Sequence, residues 1–241
     1  MFEFSEKIIL FGDFHLNLND ERLKYVERFF KDIVANYKNL IILGDFFEFY
    51  YSFPEVVPAG YLEILKILKE FSEKLKIFYI EGNHDFGLKN FFNILTFEEK
   101  VEFKVNNKKF IAIHGDTIDN NDRKYKILRK ILRTPFIKLL MDNLPPYIVL
   151  KISKILSDSS KNYLRKPKSA NFHEQIKNIF NNSEIIQKEF DILISAHFHC
   201  NVEFKIENKE IIVVNGFENE KTINYLEINE NGEILRKKWN F

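Results

Sequence analysis

The chain has 241 residues, with 36 Lys+Arg against 35 Asp+Glu and a formal net charge of +1, which argues against a protein that holds nucleic acid mainly by neutralising phosphates. Apolar residues make up 45% and charged residues 29%, the balance of a globular chain and not of a disordered one; at this length roughly 70–75% of the unfolded surface is buried without help from disulfides. The single cysteine, Cys200, excludes an intrachain disulfide and suits a reducing compartment, and no apolar run nears the roughly 20 residues of a membrane span. The opening residues lack the basic-then-apolar pattern of a leader, so a cytoplasmic protein is expected.

A first apolar run, 7–11, ends in Gly12-Asp13-Phe14-His15. Helical spacing follows over 20–35, where Leu23, Val26, Phe30, Ile33 and Val34 share a face behind Asp20, a candidate cap. The next run, 40–43, ends in Gly44-Asp45. A second helical pattern over 61–74 carries Leu62, Leu65, Leu68 and Phe71, and run 77–80 ends in Glu81-Gly82-Asn83-His84-Asp85. Continuous apolar runs of this length read as strands buried on both faces, and their alternation with helices implies a helix-covered sheet.

A hairpin is expected from 101–105 and 109–113, the second strand running into His114-Gly115-Asp116. Between Asp116 and Asp191 there is no strand signal, only helix-like stretches at 125–133, 136–143, 147–156 and 171–181, punctuated by Pro135 and Pro145-Pro146. An insertion this long exceeds what a connection needs. We read one domain over 1–241 with a helical lid inserted at about 120–185. Its apolar stripe alternates with Lys and Arg, which fits either a lid packed on the core with its charges in water or a lid that lines a groove for an apolar substrate and touches a membrane surface. Run 191–196 ends in His197-Phe198-His199, and hairpins at 202–206 with 210–214 and at 222–228 with 233–239 close the chain.

Five of the six histidines thus stand at strand ends beside Asp or Asn: His15, His84, His114, His197 and His199. A single strand-end histidine is ordinary; five at the ends of four strands are hard to explain as structure. Carboxyl ends of strands in such sheets meet along one edge, where ligands bind. Imidazoles and carboxylates converging there suit Mn, Fe or Zn, and the lack of thiolates disfavours a structural zinc.

The ordered set resembles the calcineurin-like metallophosphoesterases. Asp13 and His15 match Asp-x-His, Asp45 and Glu48 match Gly-Asp-x-x-Glu, Asn83, His84 and Asp85 match Gly-Asn-His-Asp, His114 is the lone histidine, and His197 and His199 match the last motif, with Ala196 in place of its Gly. The resemblance implies a four-layer αββα sandwich and two divalent metal ions, manganese first, with Fe or Zn as the other choices. It assigns Asp13, His15, Asp45 and His199 to one ion, and Asp45, Asn83, His114 and His197 to the other. Two cations about 3.5–4 Å apart would activate a bridging water and clamp the phosphoryl oxygens. The same resemblance makes His84 the group that stabilises the transition state or protonates the leaving oxygen, with Asp85 orienting its ring; Glu48 either supports the ligands or only solvates its loop.

Within that family the motifs look most like those of the UDP-2,3-diacylglucosamine hydrolases, pyrophosphatases of lipid A synthesis; the alternatives are a generic phosphodiesterase or nuclease of the same family and, behind these, a non-catalytic scaffold. Asp122, Tyr125 and Arg129 match that group's spacing after His114-Gly115-Asp116-Thr117, and Ser160 and Lys161 fall in a stretch like its nucleotide-binding segment. These five are the candidate substrate-binding residues. The implied partner is a nucleotide-linked lipid, with peripheral contact at the inner membrane surface.

Overall fold

The computed structural model describes residues 1–53, 56–88, 91–151, 171–218 and 222–240. Two sheets stack face to face. The seven-stranded sheet is built on four parallel strands in the order β2 (Ile8–Phe11), β3 (Asn39–Ile42), β5 (Lys76–Ile80) and β7 (Leu95–Phe97). Its antiparallel flank consists of β14 (Thr222–Ile228) on β2, with β13 (Phe217–Glu218) and β15 (Ile234–Asn240) both paired to β14. The six-stranded sheet runs β1 (Phe2–Phe4), β8 (Lys100–Val105), β9 (Lys108–Ile113), β10 (Ile192–Ser195), β12 (Lys209–Val213) and β11 (Val202–Ile206). Strands β9, β10 and β12 are parallel neighbours. A short parallel pair, β4 (Tyr50–Tyr51) and β6 (Asp85–Phe86), belongs to neither sheet.

Side-chain alternation sorts the continuous apolar runs into layers. Ile8, Leu10, Ile41, Leu43, Phe78 and Ile80 point to the six-stranded sheet and meet Phe103, Phe110, Ala112, Ile192 and Ile194 in the inter-sheet core. Their alternates Ile9, Phe11, Leu40, Ile42, Ile77 and Tyr79 point outward, onto α1 (Leu23–Val34) and α2 (Leu62–Ser72), through Val26, Phe29, Phe30, Ile64, Leu68 and Phe71. On the far side, Ile111, Leu193, Ile211 and Val213 pack against Ile176 and Phe180 of α5 (Phe172–Asn181), with Cys200 buried in the same layer. The architecture is therefore helix, sheet, sheet, helix.

Two helical expectations resolve differently. Asp20 does not cap α1, which starts three residues later without a side-chain cap. Its carboxylate instead accepts from the backbone of Asn17 and Arg22 and pairs with the Arg22 guanidinium at 2.7 Å, and that guanidinium also donates to the carbonyl of His15 at 2.8 Å. The helical segment between β9 and β10 also divides. Helices α3 (Arg123–Leu132) and α4 (Pro135–Asn143) form a projecting pair, joined by Thr134 as N-cap and Pro135 at the first helical position. Helix α5, expected in the same lid, belongs to the outer layer of the sandwich, because Ile176 and Phe180 fill the sheet face. The expected helix at 147–156 is helical through 151, and its remainder lies outside the described residues.

Candidate metal centre

Every candidate ligand follows the carboxyl end of a strand: Asp13 and His15 after β2, Asp45 after β3, Asn83 after β5, His114 after β9, His197 and His199 after β10. The loops after β2 and β3 continue side by side beyond the sheet, with Asp13 N–H donating to Gly44 O at 3.1 Å and His15 N–H to Asp45 O at 2.9 Å. Across the two sheets, His197 N–H donates to Asp13 Oδ2 at 2.8 Å.

The bends that gather these side chains are sharp. Asp13, His15, Asp45, His197 and His199 all have positive φ, between 46° and 70°, a region that non-glycine residues occupy rarely and at a cost the surroundings must offset. Gly82 is required for a different reason: a Cβ there would lie 2.6 Å from the Asp45 main-chain nitrogen and 2.8 Å from its Cγ.

Ligand atoms converge in three overlapping groups, each within 4.8 Å: Asp13, His15 and His199; His15, Asp45 and His84; Asp45, His114 and His197. His114 Nε2 lies 3.4 Å from Asp45 Oδ2 and 3.0 Å from Asn83 Oδ1. Behind them the rings are fixed by main-chain carbonyls. His114 Nδ1 faces Leu43 O and His84 Nδ1 faces Glu48 O, both at 2.7 Å; a carbonyl only accepts, so each Nδ1 carries the proton and each Nε2 is turned to the site. The Glu48 carboxylate stands 3.7 Å from His15 Nδ1 and 3.9 Å from His84 Nδ1.

Asp85 does not orient the His84 ring as the resemblance implied. Its two oxygens accept from the N–H groups of Asp45, Phe46, Phe47 and Gly82 and from the Tyr79 hydroxyl, tying the loop after β3 to the loop after β5. Ring orientation falls to the Glu48 carbonyl.

Electrostatics set the donors apart. Burial raises the Asp13 carboxyl. Burial pushes Asp45 up as well, but the imidazoles of His114, His84 and His15 outweigh it and hold the carboxyl well below its usual range. His114, which burial alone would lower, is pushed up to about 10 by the Asp45 carboxylate. Burial drives His15 well below its ordinary value and His197 down to about 3, leaving both rings neutral, the form that ligates metal. Asp85 is raised to about 7, by burial and then by Asp45.

Whether these residues fit a cation is tested by their hydrogen bonding. Among the described residues, the buried side-chain atoms without a hydrogen-bond partner are Asp13 Oδ1 and both ring nitrogens of His15. Buried polar atoms are almost always satisfied, and three orphans facing one cluster of nitrogen and oxygen donors fit a divalent ion.

The model of the calcineurin-like phosphoesterases matches residues 6–201. This chain belongs to that family. The phosphoesterase is 26% identical over 238 residues to the UDP-2,3-diacylglucosamine hydrolase of Wigglesworthia glossinidia brevipalpis, covering 93% of this chain and 92% of that one. To the protein of the same name from Blochmanniella pennsylvanica it is 28% identical over 243 residues, covering 95% and 94%. Among solved structures, an archaeal phosphodiesterase is 15% identical over 97% of this chain and 99% of that one, with a TM-score of 0.48. The protein is a phosphoester hydrolase of a family that uses divalent metals.

In this phosphoesterase the candidate substrate residues take up structural contacts. Asp122 caps α3, its carboxylate accepting from Tyr125 N–H at 3.0 Å. The Tyr125 hydroxyl donates to Asp116, and Arg129 Nε donates to the same carboxylate at 2.8 Å. Burial would raise Asp116, but Arg129 and His114 outweigh it and lower the carboxyl. Ser160 and Lys161 lie outside the described residues. Sequence reasoning passed over Tyr79, Glu81, Asp116 and Arg133, which hold the site from behind. Of these, Asp116 and Glu81 gave a signal, each standing at a strand end beside a motif, His114-Gly115 for one and Gly82-Asn83-His84 for the other.

Proposed function

We propose that this phosphoesterase hydrolyses the pyrophosphate bond of UDP-2,3-diacylglucosamine, releasing UMP and 2,3-diacylglucosamine 1-phosphate. The observation that carries the reading is the outer face of α3 and α4 beside the cluster. Ile127, Ile131, Phe136 and Leu139 are 61%, 48%, 73% and 62% exposed there, with Arg123, Lys124 and Lys130 around them. An exposed apolar patch of this kind marks an interaction site, and one rimmed by cations suits acyl chains that carry an anionic headgroup. The inner face packs on Tyr51, Phe53 and Phe86 through Met141, with Leu132 and Ile137 against the same cluster, so the apolar outer residues are not needed for the fold. The relatives' common name supports the same substrate, and the same face suits peripheral contact with the inner membrane surface. No described helix is long and apolar enough to cross a membrane.

Asp13, His15, Asp45 and His199 would hold one divalent ion, and Asp45, Asn83, His114 and His197 the other, with Asp45 shared. Bound there, two such ions, manganese first among the candidates, supply Lewis acidity, acidifying water and neutralising phosphoryl charge. The chain's own part is to aim and to move protons. His84, its Nδ1–H donated to the Glu48 carbonyl, presents Nε2 4.0 Å from Asp45 Oδ2; when protonated, that nitrogen can donate to a phosphoryl or leaving oxygen. Asp85 keeps the loops of Asp45 and His84 in register through its five accepted bonds.

The test is to incubate enzyme and Mn2+ with UDP-2,3-diacylglucosamine and to follow UMP. Release of UMP at a rate exceeding that for soluble phosphodiesters is expected. An enzyme that cleaves soluble diesters briskly and yields no UMP refutes the substrate.

A further inference from the structure

Arg133 stands at the corner between α3 and α4. Its side chain is turned inward, 8% exposed, and its guanidinium forks. One nitrogen donates to the Glu81 carboxylate, itself 4% exposed, and another donates to the main-chain carbonyl of Gly82 at 3.0 Å. The guanidinium also lies 5.8 Å from the ring centroid of Phe86. The second oxygen of Glu81 accepts from Leu88 N–H at 2.9 Å. A corner of the projecting helix pair thereby reaches the turn that carries Asn83 and His84.

As a fastening, a buried ion pair has no advantage over apolar side chains of the same volume, because desolvation consumes the attraction. What apolar groups cannot provide is a directed donor on the Gly82 carbonyl. That carbonyl opens the peptide leading into Asn83, whose Oδ1 lies 3.0 Å from His114 Nε2. Two other bonds hold the turn from the side of the sheets: Gly82 N–H to Asp85 Oδ1 and His84 N–H to Asp45 Oδ1, each at 2.9 Å. The Arg133 fork holds it from the side of the lid, with the planar geometry that a lysine lacks.

We propose that Arg133, through its fork onto Glu81 and Gly82, is a positioning residue that sets the 82–84 turn and with it the placement of Asn83 and His84 in the cation-binding cluster. The inference needs a phosphoester hydrolase but not the diacylated substrate, so a soluble diester serves as probe and the two readings fail separately.

Two variants test it. Arg133→Lys keeps a cation opposite Glu81 but cannot donate along two fixed directions. The double variant Glu81→Leu/Arg133→Met replaces the pair by apolar groups of similar size. Mn2+ binding by isothermal titration calorimetry and hydrolysis of bis(p-nitrophenyl) phosphate are measured beside Tm. Both variants should keep a Tm close to that of the parent. Both should lose about 10–100-fold in kcat or in Mn2+ affinity, the range for groups that orient metal ligands, with KM changed far less than kcat. If a folded variant keeps parental kcat and Mn2+ affinity, the pair is only a strut of the fold and the proposal is wrong. Should the double variant fail to fold, Arg133→Lys decides alone.

Discussion

Gly82→Ala is the sharpest perturbation of the centre. The backbone at this position lies outside the left-handed region, so the substitution acts through space alone. Real Cβ atoms stay beyond 3.0 Å of other heavy atoms, whereas one built at Gly82 lies 2.6 Å from Asp45 N and 2.8 Å from Asp45 Cγ, with Oδ1 nearer still. The turn or the carboxylate must therefore retreat by at least 0.4 Å at the nitrogen, and by more at Oδ1, which also accepts from His84 N–H. Misplacement of reacting groups on the order of 1 Å costs about 100-fold in rate, or about 2.7 kcal/mol of barrier. Overpacking of this kind removes a further ~1–3 kcal/mol from stability. Mn2+-dependent hydrolysis of bis(p-nitrophenyl) phosphate, measured beside a thermal melt, reads both. A Gly82→Ala protein with activity within about threefold of the parent would mean that Asp45 has room to move and that the close approach does not govern the site.

Asp45→Asn and His114→Ala should each reduce Mn2+-dependent hydrolysis by at least about 100-fold and remove at least one ion from a calorimetric titration; parental activity in either rejects the ligand assignment. Phe136→Glu combined with Leu139→Glu, at two exposed positions, should raise KM for the diacylated substrate by about tenfold or more, the worth of losing a buried large apolar side chain, while Tm moves little; an unchanged KM removes the lid from substrate binding. Far from the site, burial would raise Glu227, but the hydroxyl of Tyr37 and the ammonium of Lys237 outweigh it and hold the carboxyl below its ordinary value. Its contribution is present above the unfolded pKa and lost as pH falls through the folded one. Glu227→Gln should cost about 1 kcal/mol at pH 7, and denaturant melts should show that difference shrinking below about pH 4; a difference constant with pH refutes the pairing.

The convergence of these side chains was legible because a strand buried on both faces is a continuous apolar run, and the residues just past its carboxyl end are confined to one edge of the sandwich. Asp13, His15, Asp45, Asn83, His114, His197 and His199 all come after such runs. The rear pairings were not legible, because the partners are separate in sequence: Arg133 with Glu81 and Arg129 with Asp116 join helices to loops that only the folded sheets bring near. Asp85 illustrates a second limit. Its motif position marks it as important, but a carboxylate that accepts four amides and a hydroxyl has the same letter as one that orients a ring. Helix α5 illustrates a third, since the 3.6-residue period of Ile176 and Phe180 tells that one face is apolar and not which surface it covers. The short strand β1 packs Phe2 and Phe4 edge-on against Phe78, yet a three-residue edge leaves no pattern long enough to read.

Each half of the cluster draws donors from both sheets: Asp13 and His15 from one side meet His199 from the other, and Asp45 meets His114 and His197. A cation held by either group would act as a clasp across the sandwich, pulling on the seam between the two sheets and not on one loop. Loading with ions would then resist parting of the two halves of the molecule, and thermal endurance and occupancy would rise together by mass action.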